Sequence, residues 1–175
     1  MCGWRSKMRK YMVLVMGLCI LGAVNMSIWH KEQLLANGKT VFLALAPVDP
    51  RSLMQGDYMA LRFKLEQDIT PQLTHDKTQN ADGYVVVNVN AQGIGEFVQL
   101  QDNLANVVNP QQIAMRYRVR EGKIKFATNA FFFEEGKSDL YAQARYGEFK
   151  VAANGELLLK DLRGENLVVL SKTRL

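Results

Sequence analysis

Hydrophobic and polar positions divide this chain into one unbroken apolar run followed by short alternating segments. From Tyr11 to Trp29 there is no charged residue, and only Asn25 and Ser27 are clearly polar. About 20 mainly apolar residues cross a bilayer core as a helix. Tyr11 and Trp29 stand at the two ends, where amphipathic rings favour the membrane interface. The pattern predicts a basic tail over 1–10, a transmembrane anchor over 11–29 and a juxtamembrane helix over 30–38. The last is stopped at Asn37-Gly38, and a β-rich domain is expected over 39–175. His30 reads as an interfacial polar residue.

The domain begins with Thr40 to Leu45, apolar on both faces and so expected as a buried strand. From Tyr58 the pattern alternates, with Tyr58, Ala60 and Arg62 on one face and Met59, Leu61 and Phe63 on the other. Lys64-Leu65 prolongs that strand, and Glu66 to Asp82 reads as a polar surface loop, with room for one helical turn, carrying His75-Asp76. Tyr84 to Val89 and Glu96 to Leu100 form a hairpin around Gln92-Gly93-Ile94-Gly95. Met115 to Arg120 and Lys123 to Ala127 form a second hairpin about Glu121-Gly122. Phe131-Phe132-Phe133 alternates faces, so one side should meet another layer. Ser138 to Tyr146 predicts the domain's one helix, with Ser138 as N-cap and Gly147 after its end. Asn154-Gly155 predicts a hairpin turn with both residues at positive φ, and Asn166 to Leu170 a final strand. The fold class is mainly β: an N-terminal transmembrane helix, then an antiparallel β-sandwich or partly open barrel of about eight or nine strands with one short helix.

The stretch from Pro47 to Phe63 punctuates the chain. Pro47 and Pro50 fix their own φ and bias the residues before them away from helix. Asp49-Pro50 starts a turn, Arg51 and Asp57 flank it, and Gly56-Asp57 leads into the strand. Gly56, Asp57, Tyr58 and Leu61 match the motif of the GDYxxLxY family of membrane-anchored bacterial proteins, and Phe63 stands where that motif ends in Tyr. Pro47, Asp49, Pro50 and Arg51 resemble the family's lead-in. The resemblance covers most of the chain. It implies a signal anchor and a strand-rich external domain, with no assigned activity.

Charge adds an orientation. The formal net charge is +5, but Arg5, Lys7, Arg9 and Lys10 all precede the anchor. That asymmetry puts the N-terminus in the cytoplasm and the domain outside, periplasmic or extracellular, at the inner (cytoplasmic) membrane. It also removes the basic balance as an argument for nucleic acid. Ala23-Val24-Asn25 is a poor cleavage site and the apolar run continues past it, which favours an uncleaved anchor. Both cysteines, Cys2 and Cys19, lie before the domain, so no disulfide framework or thiolate site is expected there. Met16-Gly17-Leu18 lacks the small residues of a lipoprotein site before Cys19.

Two sets of residues are candidates for function. The first is the motif itself (Pro47, Asp49, Pro50, Arg51, Gly56, Asp57, Tyr58, Leu61 and Phe63), read as a structural or binding turn. The second is a stripe of Arg116, Arg118, Arg120, Lys123 and Lys125 that suits an anionic partner or lipid headgroups, although a solvated face that discourages edge pairing explains it as well. No catalytic residue, metal site or cofactor is assigned. The expected function is an accessory or binding module whose partners are the lipid bilayer and another integral membrane protein, not nucleic acid. The alternative is a membrane-anchored hydrolase or cation-binding enzyme using Asp49, Asp57 and Glu135. The turn also resembles the segment after the nucleophile in signal-peptidase-like serine proteases, but Val48 and Asp49 precede Pro50 and supply no serine.

Overall fold

The computed structural model describes residues 2–46, 54–55, 58–73, 80–104 and 109–170. Helix α1 spans Cys2–Asn37 without a break, so the expected tail, anchor and juxtamembrane helix are one element about 54 Å long at 1.5 Å per residue. Its stretch Tyr11–Asn37 is long and apolar enough to cross a membrane, with a mean hydropathy of 2.1 over 18 residues and none of them buried. Asn37 is the last helical residue, and the Gly38 N–H donates to the Leu34 carbonyl at 2.9 Å.

Among the described residues ten strands follow: β1 Lys39–Ala44, β2 Met54–Gln55, β3 Tyr58–Ala60, β4 Asn80–Val89, β5 Gly95–Gln101, β6 Gln112–Arg120, β7 Lys123–Lys125, β8 Ala130–Phe132, β9 Tyr146–Val151 and β10 Leu157–Arg163. They form three antiparallel sheets in the orders β1-β9-β10, β2-β3-β8 and β5-β4-β6-β7. The inward faces of all three share one core that includes Val41, Leu43, Met59, Phe63, Val85, Met115, Tyr117 and Phe149. Both expected hairpins in the third sheet are present. The alternation after Tyr58 also holds: Met59, Leu61 and Phe63 are buried, while Tyr58 and Ala60 are half-buried and Arg62 is exposed.

Several local expectations are corrected. β1 buries only Val41 and Leu43, because its other face, Phe42 and Ala44, is half-covered. Lys64-Leu65 does not extend a strand. The Phe63 N–H donates to Glu66 Oε1 at 2.9 Å, and a short helix α2, Leu65–Ile69, buries Leu65 and Ile69 one turn apart. The expected helix over 138–146 is a single turn, α3, Ser138–Tyr141. Tyr146 and Gly147 instead pair with Ala44 and Leu43 in β1. A Cβ on Gly147 would stand 3.0 Å from the rings of Phe63 and Phe149, so the core requires glycine at this strand position. Ser138 is the first helical residue rather than the cap.

In place of the final strand, Glu165–Leu167 is a 3-10 turn with Asn166 and Leu167 at positive φ, and one bridge joins Arg163 to Val169. The Asn154-Gly155 turn places only Gly155 at positive φ, 80°. The Gly155 N–H donates to the Ala152 carbonyl and the Glu156 N–H to Asn154 Oδ1. This is a longer, glycine-bulged hairpin rather than a two-residue turn.

Candidate functional site: an aromatic corner and a basic strand face

Of the motif residues, Pro47, Asp49, Pro50, Arg51, Gly56 and Asp57 lie outside the described residues, as does His75-Asp76. The remaining three have distinct surroundings. Phe63 is fully buried, with its ring edge-on to Phe126 at 5.8 Å and to Phe149 at 5.3 Å. Its backbone bridges to Leu45, and Lys64 and Ala46 N–H groups close the same join to Ala44 and Arg62 carbonyls. Leu61 is buried, and its N–H donates to the Asn129 carbonyl at 2.7 Å. The end of the motif is therefore core that ties β3 to β1. A phenyl ring at Phe63 suits a site with no solvent for a hydroxyl.

Tyr58 faces the other way. Its register partner is Phe132, with ring centroids 5.8 Å apart. Phe132 is 74% exposed. On the opposite side of β8, Phe131 and Phe133 pack against Tyr141 at 5.0 and 5.3 Å. Burial pushes the Tyr141 phenol up, reinforced by the charge of Asp161. The expected alternation of the three phenylalanines is present, and it leaves one aromatic on the surface beside the motif tyrosine. Glu134 pairs with Lys137 at 2.6 Å, which holds its carboxyl below the usual range. Glu135 is exposed. Burial pushes the Glu66 carboxyl up, against the lowering pull of the Phe63 N–H and the Arg62 charge. Among the described residues no three His, Cys, Asp or Glu side chains gather as metal ligands would.

The basic stripe lies on the outward face of β6 and β7, opposite buried Tyr117, Val119 and Ile124. Arg118 is opposite Lys125 and Arg120 opposite Lys123. The stripe is not purely cationic. Asp82 on β4 is opposite Arg118 and sits 2.9 Å from Arg120 and 3.5 Å from Arg116. Arg120 also donates to the Ala81 and Val119 carbonyls. Arg116, Arg118, Lys123 and Lys125 remain exposed.

Two charge clusters escaped the sequence reading. Glu156, in the β9–β10 hairpin, pairs with Lys31 and lies 3.4 Å from His30 Nε2 on α1. The Lys31 hydrogen bond is the main reason its carboxyl is held low, against partial burial. Glu148 is buried in β9, where Lys160 Nζ donates at 3.1 Å and Arg163 Nε at 2.7 Å. Burial alone would raise Glu148; hydrogen bonds from Arg163 and Lys160, with their positive charge, overcome it and hold the carboxyl low. The first cluster joins segments 125 residues apart, whereas the second lies across the β9–β10 hairpin, where strand register sets Glu148 beside Lys160 and Arg163.

An exposed apolar helix joined to a three-sheet β domain, with Met59, Leu61 and Phe63 built into the core, defines a helix-tethered β protein. The chain belongs to the GDYXXLXY family: the profile described as GDYXXLXY protein matches residues 20–162. No curated protein and no solved structure matches the chain.

Proposed function

We propose that the chain is a single-pass protein of the inner (cytoplasmic) membrane, with a cytoplasmic N-terminus and an external domain that serves as an accessory or binding module. The observation that carries this reading is the apolar helix itself. Val13, Leu14, Ile20, Leu21 and Ile28 are each more than half exposed, and an all-round apolar helix needs an apolar surrounding. The basic residues before Tyr11 support the orientation. The partner is another integral membrane protein, met through the exposed Phe132 beside Tyr58, since aromatic anchors dominate protein contacts.

Two measurements test the reading. Alkaline carbonate washing should leave the chain in the membrane pellet; release into the supernatant contradicts the anchor. A photo-crosslinking side chain at position 132 should yield one discrete adduct with an integral membrane protein. Adducts with lipid alone contradict the partner.

A further inference from the structure

A cavity of about 420 Å³ lies between α1, the third sheet and the last hairpin. Its lining includes Lys31, Tyr84, Arg116, Arg118, Asn154 and Glu156. Three cations thus meet one carboxylate, and that carboxylate is already engaged by Lys31. Arg116 is only loosely neutralised, by Asp82 at 3.5 Å, and Arg118 forms no ion pair among the described residues. Lys31 is two residues beyond Trp29, about 3 Å along the helix. If Trp29 marks the interface, the cavity opens at headgroup depth. Below it, Ile28 and Trp29 present exposed apolar surface.

We propose that this cavity binds the phosphate headgroup of an anionic phospholipid, with Arg116 and Arg118 on the phosphate and the acyl chains lying along α1. The inference rests on the membrane anchoring proposed above. Guanidinium groups suit the task because their donors meet two phosphate oxygens at once. Asn154 and Tyr84 also line the cavity. The charges of the outward strand face then have a specific use at one end: Arg116 and Arg118 line the cavity, while Lys123 lies at the far end of the hairpin and does not.

The test uses the full chain in neutral detergent micelles, titrated with phosphatidylglycerol or phosphatidylcholine, with retained lipid counted by native mass spectrometry. Phosphatidylglycerol should be retained and phosphatidylcholine should not. Arg118→Gln should weaken retention by about tenfold or more, the scale of a lost charge-assisted contact. Lys123→Gln removes one charge from the same hairpin and should leave retention within about twofold. Thermal melting of each variant confirms that it is folded, and a double Arg116→Gln, Arg118→Gln variant should abolish retention. Equal retention of both lipids, equal loss in Arg118→Gln and Lys123→Gln, or displacement of the lipid by millimolar inorganic phosphate would overturn the proposal. Because micelles replace the bilayer, a chain that fails carbonate retention but still selects phosphatidylglycerol sinks the anchor reading alone. A chain that is retained yet shows no selection sinks the lipid site alone.

Discussion

Lys31 on the apolar helix and Glu156 in the last hairpin form an ion pair across a sequence separation of 125 residues. With His30 beside them, they fasten the helix end to the domain at the β9–β10 hairpin. Lys150 adds a contact nearby, donating to the Gly38 carbonyl at 3.3 Å. Buried Leu34 supplies the apolar part of the junction.

The strength of that fastening is limited by water. Lys31 and Glu156 side chains are 46% and 34% exposed, so the pair is worth about 0.2–1 kcal/mol. A double-mutant cycle of Lys31→Ala and Glu156→Ala, read by thermal melting, should give a coupling in that range that shrinks with added salt. Zero coupling at low salt would show that the two groups do not hold the junction.

Glu148 should matter more. Its carboxylate is buried and takes hydrogen bonds from Arg163 and Lys160. Glu148→Ala leaves the largely buried Arg163 without its carboxylate and should lower stability by roughly 3–5 kcal/mol. Lys160→Ala, at a half-exposed position, should cost no more than about 1 kcal/mol. Equal losses would refute the central place of the carboxylate.

The same two glutamates set a pH dependence. Both folded-state pKa values are depressed, Glu148 because its two cations outweigh burial and Glu156 chiefly because of Lys31. Their stabilisation is therefore fully present above the unfolded carboxylate value, about 4.3. It is lost as the pH falls through the lower folded values. Glu66 has the opposite sign: burial raises its pKa, so it favours the folded state at acid pH and that contribution disappears as pH rises through the folded value. Melting temperature should fall on acidification from pH 5, and Glu148→Gln should flatten the fall. An unchanged slope in that variant would contradict the assignment.

Two glycines separate backbone strain from steric contact. Gly155 and Gly136 have φ of 80° and 82°. A Cβ on Gly136 meets nothing within 4 Å, whereas one on Gly155 stands 2.9 Å from the Tyr84 ring. Gly136→Ala should cost about 1–2 kcal/mol from the left-handed conformation alone. Gly155→Ala should cost more, with the excess removed in a Tyr84→Ala background. Equal costs in the wild-type background would show that the ring yields freely.

Much of this architecture was legible locally. The apolar run gave α1, the helix stop at Asn37-Gly38 held, and alternation located both hairpins of the third sheet and the buried Met59-Leu61-Phe63 face. What failed depended on distant partners. Gly147 looks like a helix end until Phe63 and Phe149 are seen over it. Lys64-Leu65 looks like the end of a strand until Leu65 and Ile69 are seen buried one turn apart in α2. Glu148 carries no sequence assignment, since only the register of β9 on β10 brings Lys160 and Arg163 to it. The basic stripe was visible, but Asp82, Lys31 and Glu156 reach it only through register and helix docking.

In the proposed topology α1 crosses a membrane and leaves the β domain outside. Ala153 is an exposed residue at the last hairpin, lining one cavity with Gln33 and Asn37 of α1. An Ala153→Cys variant, in a Cys2→Ser, Cys19→Ser background, can be treated with a membrane-impermeant maleimide on intact spheroplasts. An external domain should be fully labelled before lysis. Protection in intact spheroplasts, with labelling only after lysis, would contradict it.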